Sequence, residues 1–128
     1  MKEKIQTNNA PAPTGPYSQA IFQDGFVFIS GQDGIHPNGE SAGETIALQT
    51  EAALRNIESI LKEAGGSLEN LVFVTCHLDE LTEENAHEFN QAYRKYFEQV
   101  ENKPARITVG SQLLDGKVEI TAIAAIGS

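Results

Sequence analysis

The chain has 128 residues, with 18 Asp+Glu against 9 Lys+Arg and a formal charge of −9. That length fits a single domain spanning residues 1–128. The acid excess, with only three arginines (Arg55, Arg94 and Arg106), argues against nucleic acid as a partner, because phosphate binding needs clustered basic residues.

One cysteine, Cys76, rules out an intrachain disulfide framework and a thiolate-rich metal site. No run approaches the roughly 18–20 apolar residues of a membrane span. The first nine residues carry Lys2 and Lys4 but no apolar stretch, so no secretory signal is read there and a cytoplasmic protein with no membrane partner is expected.

Residues 8–16 form a leader with three prolines, unsuited to helix or interior strand. Residues 25–31, bounded by glycines and rich in Phe, Val and Ile, read as a short buried strand. Residues 33–39 read as turn throughout. From Glu44 to Ala64 the spacing is helical, with Ile46, Thr50, Leu54, Ile57, Leu61 and Ala64 on one face, and Gly65-Gly66 is a fitting stop. Residues 71–78 are a second strand. Thr82 then caps a helix that buries Ala86, Phe89, Tyr93, Phe97 and Val100. Residues 106–113 and 117–126 read as a hairpin turning at Asp115-Gly116. Two helices and a mixed sheet give an α+β domain.

Coverage predicts an assembly. The last strand is apolar on the face of Val118, Ile120, Ala122, Ala124 and Ile126, and partly so on the face of Glu119, Thr121, Ile123 and Ala125. A sheet with two apolar faces needs two covers. If both helices pack on one face, the other is left for a second copy. The alternative is one helix on each face and a monomer.

Several residues are candidates for chemistry. Arg106 follows Pro104-Ala105 at the mouth of a strand, where a guanidinium can grip a carboxylate with two parallel hydrogen bonds. A surface ion pair is the competing reading. Glu119 lies within Val118–Ile123, where partial desolvation favours proton exchange near neutrality, although an outward acid is the ordinary case. Ser30 is placed to donate to a ligand or to close a turn, and Tyr17 to wall a pocket or to fill the core. Cys76 reads as a buried, inert thiol. His36, His77 and His87 lack metal-ligand spacing. If the hairpin has a two-residue turn, Glu119 lies opposite Gln112. Arg106 is then six residues further along, roughly 20 Å away, so the two would meet only across a subunit interface.

Five motifs stand in order: Gly15-Pro16-Tyr17-Ser18-Gln19-Ala20; Ile29-Ser30-Gly31-Gln32; Asn90 with Tyr93, Tyr96 and Phe97; Pro104-Ala105-Arg106; and Val118-Glu119-Ile120 followed by Ala122-Ile123-Ala124. Together they closely resemble the Rid family, the reactive intermediate deaminases formerly called YjgF proteins, from about Asn9 onward. The resemblance implies a chorismate-mutase-like α+β fold, with two helices on one face of a mixed sheet. It also implies a homotrimer around a barrel-like core, with sites between subunits.

The implied activity is hydrolysis of reactive enamines or imines, such as 2-iminobutanoate and 2-iminopropanoate, to 2-keto acids and ammonia. By the resemblance Arg106 grips the substrate carboxylate and Glu119 handles the attacking water. Tyr17, Ser30, Gly31 and Asn90 match pocket positions. Thr108 stands where some members have cysteine, so it is expected to line the pocket with no thiol role. No metal or organic cofactor is implied. Ile107, Thr108, Asp33 and a short 113–117 loop depart from the family pattern at the pocket rim. A non-catalytic 2-keto-acid binding protein is the alternative, and a ribonuclease suits the negative charge least.

Overall fold

The computed structural model describes residues 1–127. Six strands form one sheet: β1 (Glu3–Ile5), β2 (Ala20–Gln23), β3 (Phe26–Asp33), β4 (Leu71–Leu78), β5 (Ala105–Gly110) and β6 (Val118–Ala125), in the order β1-β2-β3-β6-β4-β5. Neighbours run antiparallel except β4 and β5, which are parallel.

Helix α1 (Ile46–Glu63) starts where the Thr45 side chain accepts from the Leu48 N–H at 3.1 Å. It ends before Gly65, whose φ of +87° suits a residue without Cβ. Helix α2 (Glu83–Tyr96) is capped the same way, by Thr82 accepting from the Asn85 N–H at 3.1 Å. Glu83 and Glu84 in its first turn and Arg94 and Lys95 in its last complement the helix dipole.

Both helices cover one face of the sheet. Leu54, Ile57, Ile60 and Leu61 of α1 and Phe89 and Tyr93 of α2 join the inward residues of β3, β4 and β6 in a single core. Alternation along β6 is strict: Val118, Ile120, Ala122 and Ala124 are buried, and the residues between them are not. The opposite face stays open, with Phe26, Phe28, Phe73 and Ile107 each between 37 and 49 % exposed.

The C-terminal hairpin is overturned. Strands β5 and β6 do not pair, because β4 lies between them. Gly116 does turn, at φ +77°, but residues 111–117 cross the end of β4. There Ser111 N–H donates to the Leu78 carbonyl and Asp79 N–H to the Lys117 carbonyl. The strand expected at 25–31 alternates between faces and runs on to Asp33, a position expected as turn. Strands β1 and β2 carried no recognised signal.

Candidate active site

The site begins at an irregularity in β3. Ile29 pairs with Ala122 and Gln32 with Ile120, so Ser30 and Gly31 together oppose Thr121 in a β-bulge. The added residue resets the rest of the strand. Gln32 turns into the core at 5 % exposure, and Asp33 stands directly opposite Glu119 on the open face. Gly31 lies against the Glu119 carboxyl group, and a Cβ added there would sit 2.9 Å from its Cδ. Glycine is required for that close approach.

The leader is tied down by buried Gln19, whose side chain accepts from Thr7 N–H at 2.7 Å and donates to the carbonyls of Thr7 and Pro11. Gln19 stands within a recognised motif, but sequence reasoning assigned it no role. Ser30 secures the other end: its hydroxyl donates to the Ser18 carbonyl at 2.6 Å. Of the two roles open to Ser30, a donor to a ligand or a local structural bond, the structure shows its proton on the Ser18 carbonyl, while the residue still lines the cleft. The fixed leader carries Tyr17 to the rim, 49 % exposed and hydrogen-bonded to Thr14 through its hydroxyl.

These elements enclose a cleft of about 520 Å³ lined by Tyr17, Ser30, Gly31, Asp33, Glu119 and residues 112–115. Gln49 of α1 ties down the end of the crossing loop beside it, accepting from Lys117 N–H at 2.7 Å and donating to the Gly43 carbonyl at 2.9 Å. Burial, then the charge of Glu119 and a hydrogen bond to it, then Asp115, push the Asp33 carboxyl up to about 6. Among the described residues, no group of three His, Cys, Asp or Glu side chains is placed to hold a metal ion.

Arg106 stands elsewhere. It lies on the edge strand β5, opposite Val74, and so on the helix side of the sheet. Its guanidinium stacks on α2, 4.7 Å from the Tyr93 ring centre and 5.6 Å from that of Phe89. Among the described residues the ion pair is Arg55–Glu51, and Arg106 has none. Asn90 is on the same helix, next to Phe89. The Tyr93 hydroxyl and the Thr108 hydroxyl are both buried without a partner. Burial pushes the Cys76 thiol up to about 12, against the opposing pull of Arg106.

The predicted site residues therefore do not fall together: Tyr17, Ser30, Gly31 and Glu119 are in the cleft, Arg106 and Thr108 are on β5, and Asn90 is on α2. Glu119 is level with His77 and Val109, whereas Arg106 is level with Val74 and Ala122. The two are two strands apart, about 10 Å, and offset by three residues, about another 10 Å. They project from opposite faces. This replaces the separation inferred from the hairpin.

The sequence profile of the Endoribonuclease L-PSP family matches residues 7–126. A RutC family protein of Aquifex aeolicus is 42 % identical over 123 residues, 94 % of this chain and 97 % of its own length. A bovine protein named 2-iminobutanoate/2-iminopropanoate deaminase is 37 % identical over 128 residues, 99 % of this chain and 92 % of its own. The crystal structure of E. coli TdcF with bound serine superposes with a TM-score of 0.89 at 31 % identity, covering 96 % of this chain and 98 % of that one.

Proposed function

This chain belongs to the Endoribonuclease L-PSP family, the Rid proteins its motifs resemble, and from that premise we propose that it hydrolyses small 2-imino acids to 2-keto acids and ammonia. The observation that carries the reading is the guanidinium of Arg106, held by Tyr93 and Phe89 and without an ion pair among the described residues, in a chain with twice as many acids as bases. Exposed Arg94 also lacks an acid among the described residues, but Arg106 alone of the two is stacked on aromatic rings, which holds its fork ready for a carboxylate from outside the chain. The name of the bovine relative supplies the substrate class.

The working unit we propose is a homotrimer. The open sheet face with its exposed Phe26, Phe28 and Phe73 supports burial against further copies. The separation of Arg106 from Glu119 supports a site completed by two subunits. In it Arg106 of one subunit fixes the substrate carboxylate by two charge-assisted hydrogen bonds, placing the imine carbon over the neighbour's cleft. There Glu119 takes the proton of the attacking water.

A coupled assay with threonine or serine dehydratase tests the activity. Keto-acid release should accelerate with the protein present, and Arg106→Ala should lose that acceleration. A second reading, a binding protein for 2-keto or amino acids, draws on the serine held by TdcF. Saturable keto-acid binding without acceleration would select it.

A further inference from the structure

The carboxyl group of Glu119 has a partner that no motif assigned. Resting on the deaminase reading, we propose that Asp33 is a positioning residue of the same site, holding jointly with Glu119 the proton taken from the attacking water so that the two carboxyls act as a single base. The β-bulge at Ser30–Gly31 creates the arrangement. Without the extra residue, Gln32 would oppose Glu119; with it, Asp33 does. Directly opposed antiparallel residues have Cβ atoms about 4.5–5.5 Å apart. Both side chains line the cleft, and Gly31 holds the Glu119 carboxyl close to the backbone.

Two carboxylates that close in a half-buried cleft do not ionise independently. The second proton of such a pair leaves late, in keeping with Asp33 at about 6. At neutral pH the pair is then mostly ionised, yet more basic than a lone carboxylate at roughly 4. Other groups bear on it from each side. Asp115 adds negative charge from the crossing loop. His77 on β4 stands across Glu119 from Asp33, its Nδ1 bonded to Ser111 Oγ at 2.8 Å. Tyr17 approaches from the leader, and α1 contributes the neutral Asn56 amide on the Asp33 carbonyl. Lys117 turns its ammonium to the Glu44 carbonyl. In the proposed assembly the neighbour's Arg106 favours the ionised pair, while burial by that subunit opposes it.

The protons balance with the pair as reservoir. Water oxygen bonds to the carbon of the protonated imine, the C=N pair moves to nitrogen, and the water's proton passes to Glu119. The pair then returns that proton to the amine. The C–N bond breaks, the hydroxyl electrons close the new C=O, and the hydroxyl proton comes back to the pair before leaving with ammonia as ammonium.

Carbon-13 NMR of labelled Asp and Glu carboxyls in the full-length protein tests the pairing without substrate. A carboxyl titrating near 6 that disappears in both Asp33→Asn and Glu119→Gln is expected. If every carboxyl of the unmodified protein titrates below about 5, the proposal is overturned whether or not the protein is a deaminase. In the assay, Asp33→Asn should move the acid limb of kcat/KM down by more than about one pH unit, toward the lone-carboxylate range. An unmoved limb overturns the proposal. If the paired titration is present but imine is not turned over at any pH, it is the deaminase reading that fails and the shared proton that stands.

Discussion

Arg106 and Glu119 project from opposite faces of one sheet, three residues out of register and with β4 between their strands. A small 2-imino acid cannot touch both within one chain. Each residue has a local support, an aromatic stack for the guanidinium and a glycine cradle for the carboxyl group, and the assembly proposed above is what would join the two halves.

Arg106→Lys keeps the charge and loses both the planar fork and the stack on Tyr93. Loss of one charge-assisted hydrogen bond is worth about 1.5–3 kcal/mol, so kcat/KM should fall by about 10- to 100-fold. Steady-state kinetics in the coupled assay measures this, with a melting curve to confirm an unchanged fold.

Gly31→Ala drives a methyl group into the Glu119 carboxyl, 2.9 Å from its Cδ. The side chain must leave its cradle, and turnover should drop by an order of magnitude or more, while 2-keto-acid binding through Arg106 changes little. Titration calorimetry beside kinetics separates the two. Equal losses in both would place Gly31 in carboxylate binding instead.

Glu119→Gln retains the shape of the side chain and removes the base. It should slow kcat far more than it weakens binding of a 2-keto acid. Parallel losses would give Glu119 a structural role.

The raised Asp33 carboxyl has a consequence for stability. A group whose folded pKa exceeds its ordinary 3.8 stabilises the fold when protonated, and that contribution fades as pH rises through about 6. Asp33→Asn should therefore stabilise the protein at pH 7, by about 1 kcal/mol after allowance for solvent screening, and change little below pH 4. Thermal melts at the two pH values check the sign, and destabilisation at pH 7 would contradict it.

Local chemistry made much of the fold legible. Thr45, Thr82 and Gly65 bound the helices, and the alternation from Val118 to Ala124 marks one face of β6 as core. Asp115-Gly116 signals a real turn, but a turn does not say which strands lie beside each other. The β4–β5 pairing is a long-range choice with no local mark. The two halves of the site divide the same way. Tyr17, Ser30, Gly31 and Glu119 were recognisable, but the facing of Asp33 depends on a one-residue bulge, and a single step of register moves a strand's side chains to the other face. The sequence left two roles open for Ser30, and the bond to the Ser18 carbonyl depends on a segment twelve residues away that no local signal marks.

The most direct test of the two-subunit site is complementation between Arg106→Ala and Glu119→Gln. Each variant alone should be inactive. Co-expressed in equal amounts and assembled at random, they form an intact site wherever Arg106 comes from one variant and Glu119 from the other, so about a quarter of the wild-type activity should return. No recovery, in mixed assemblies verified by mass spectrometry, would contradict the shared site.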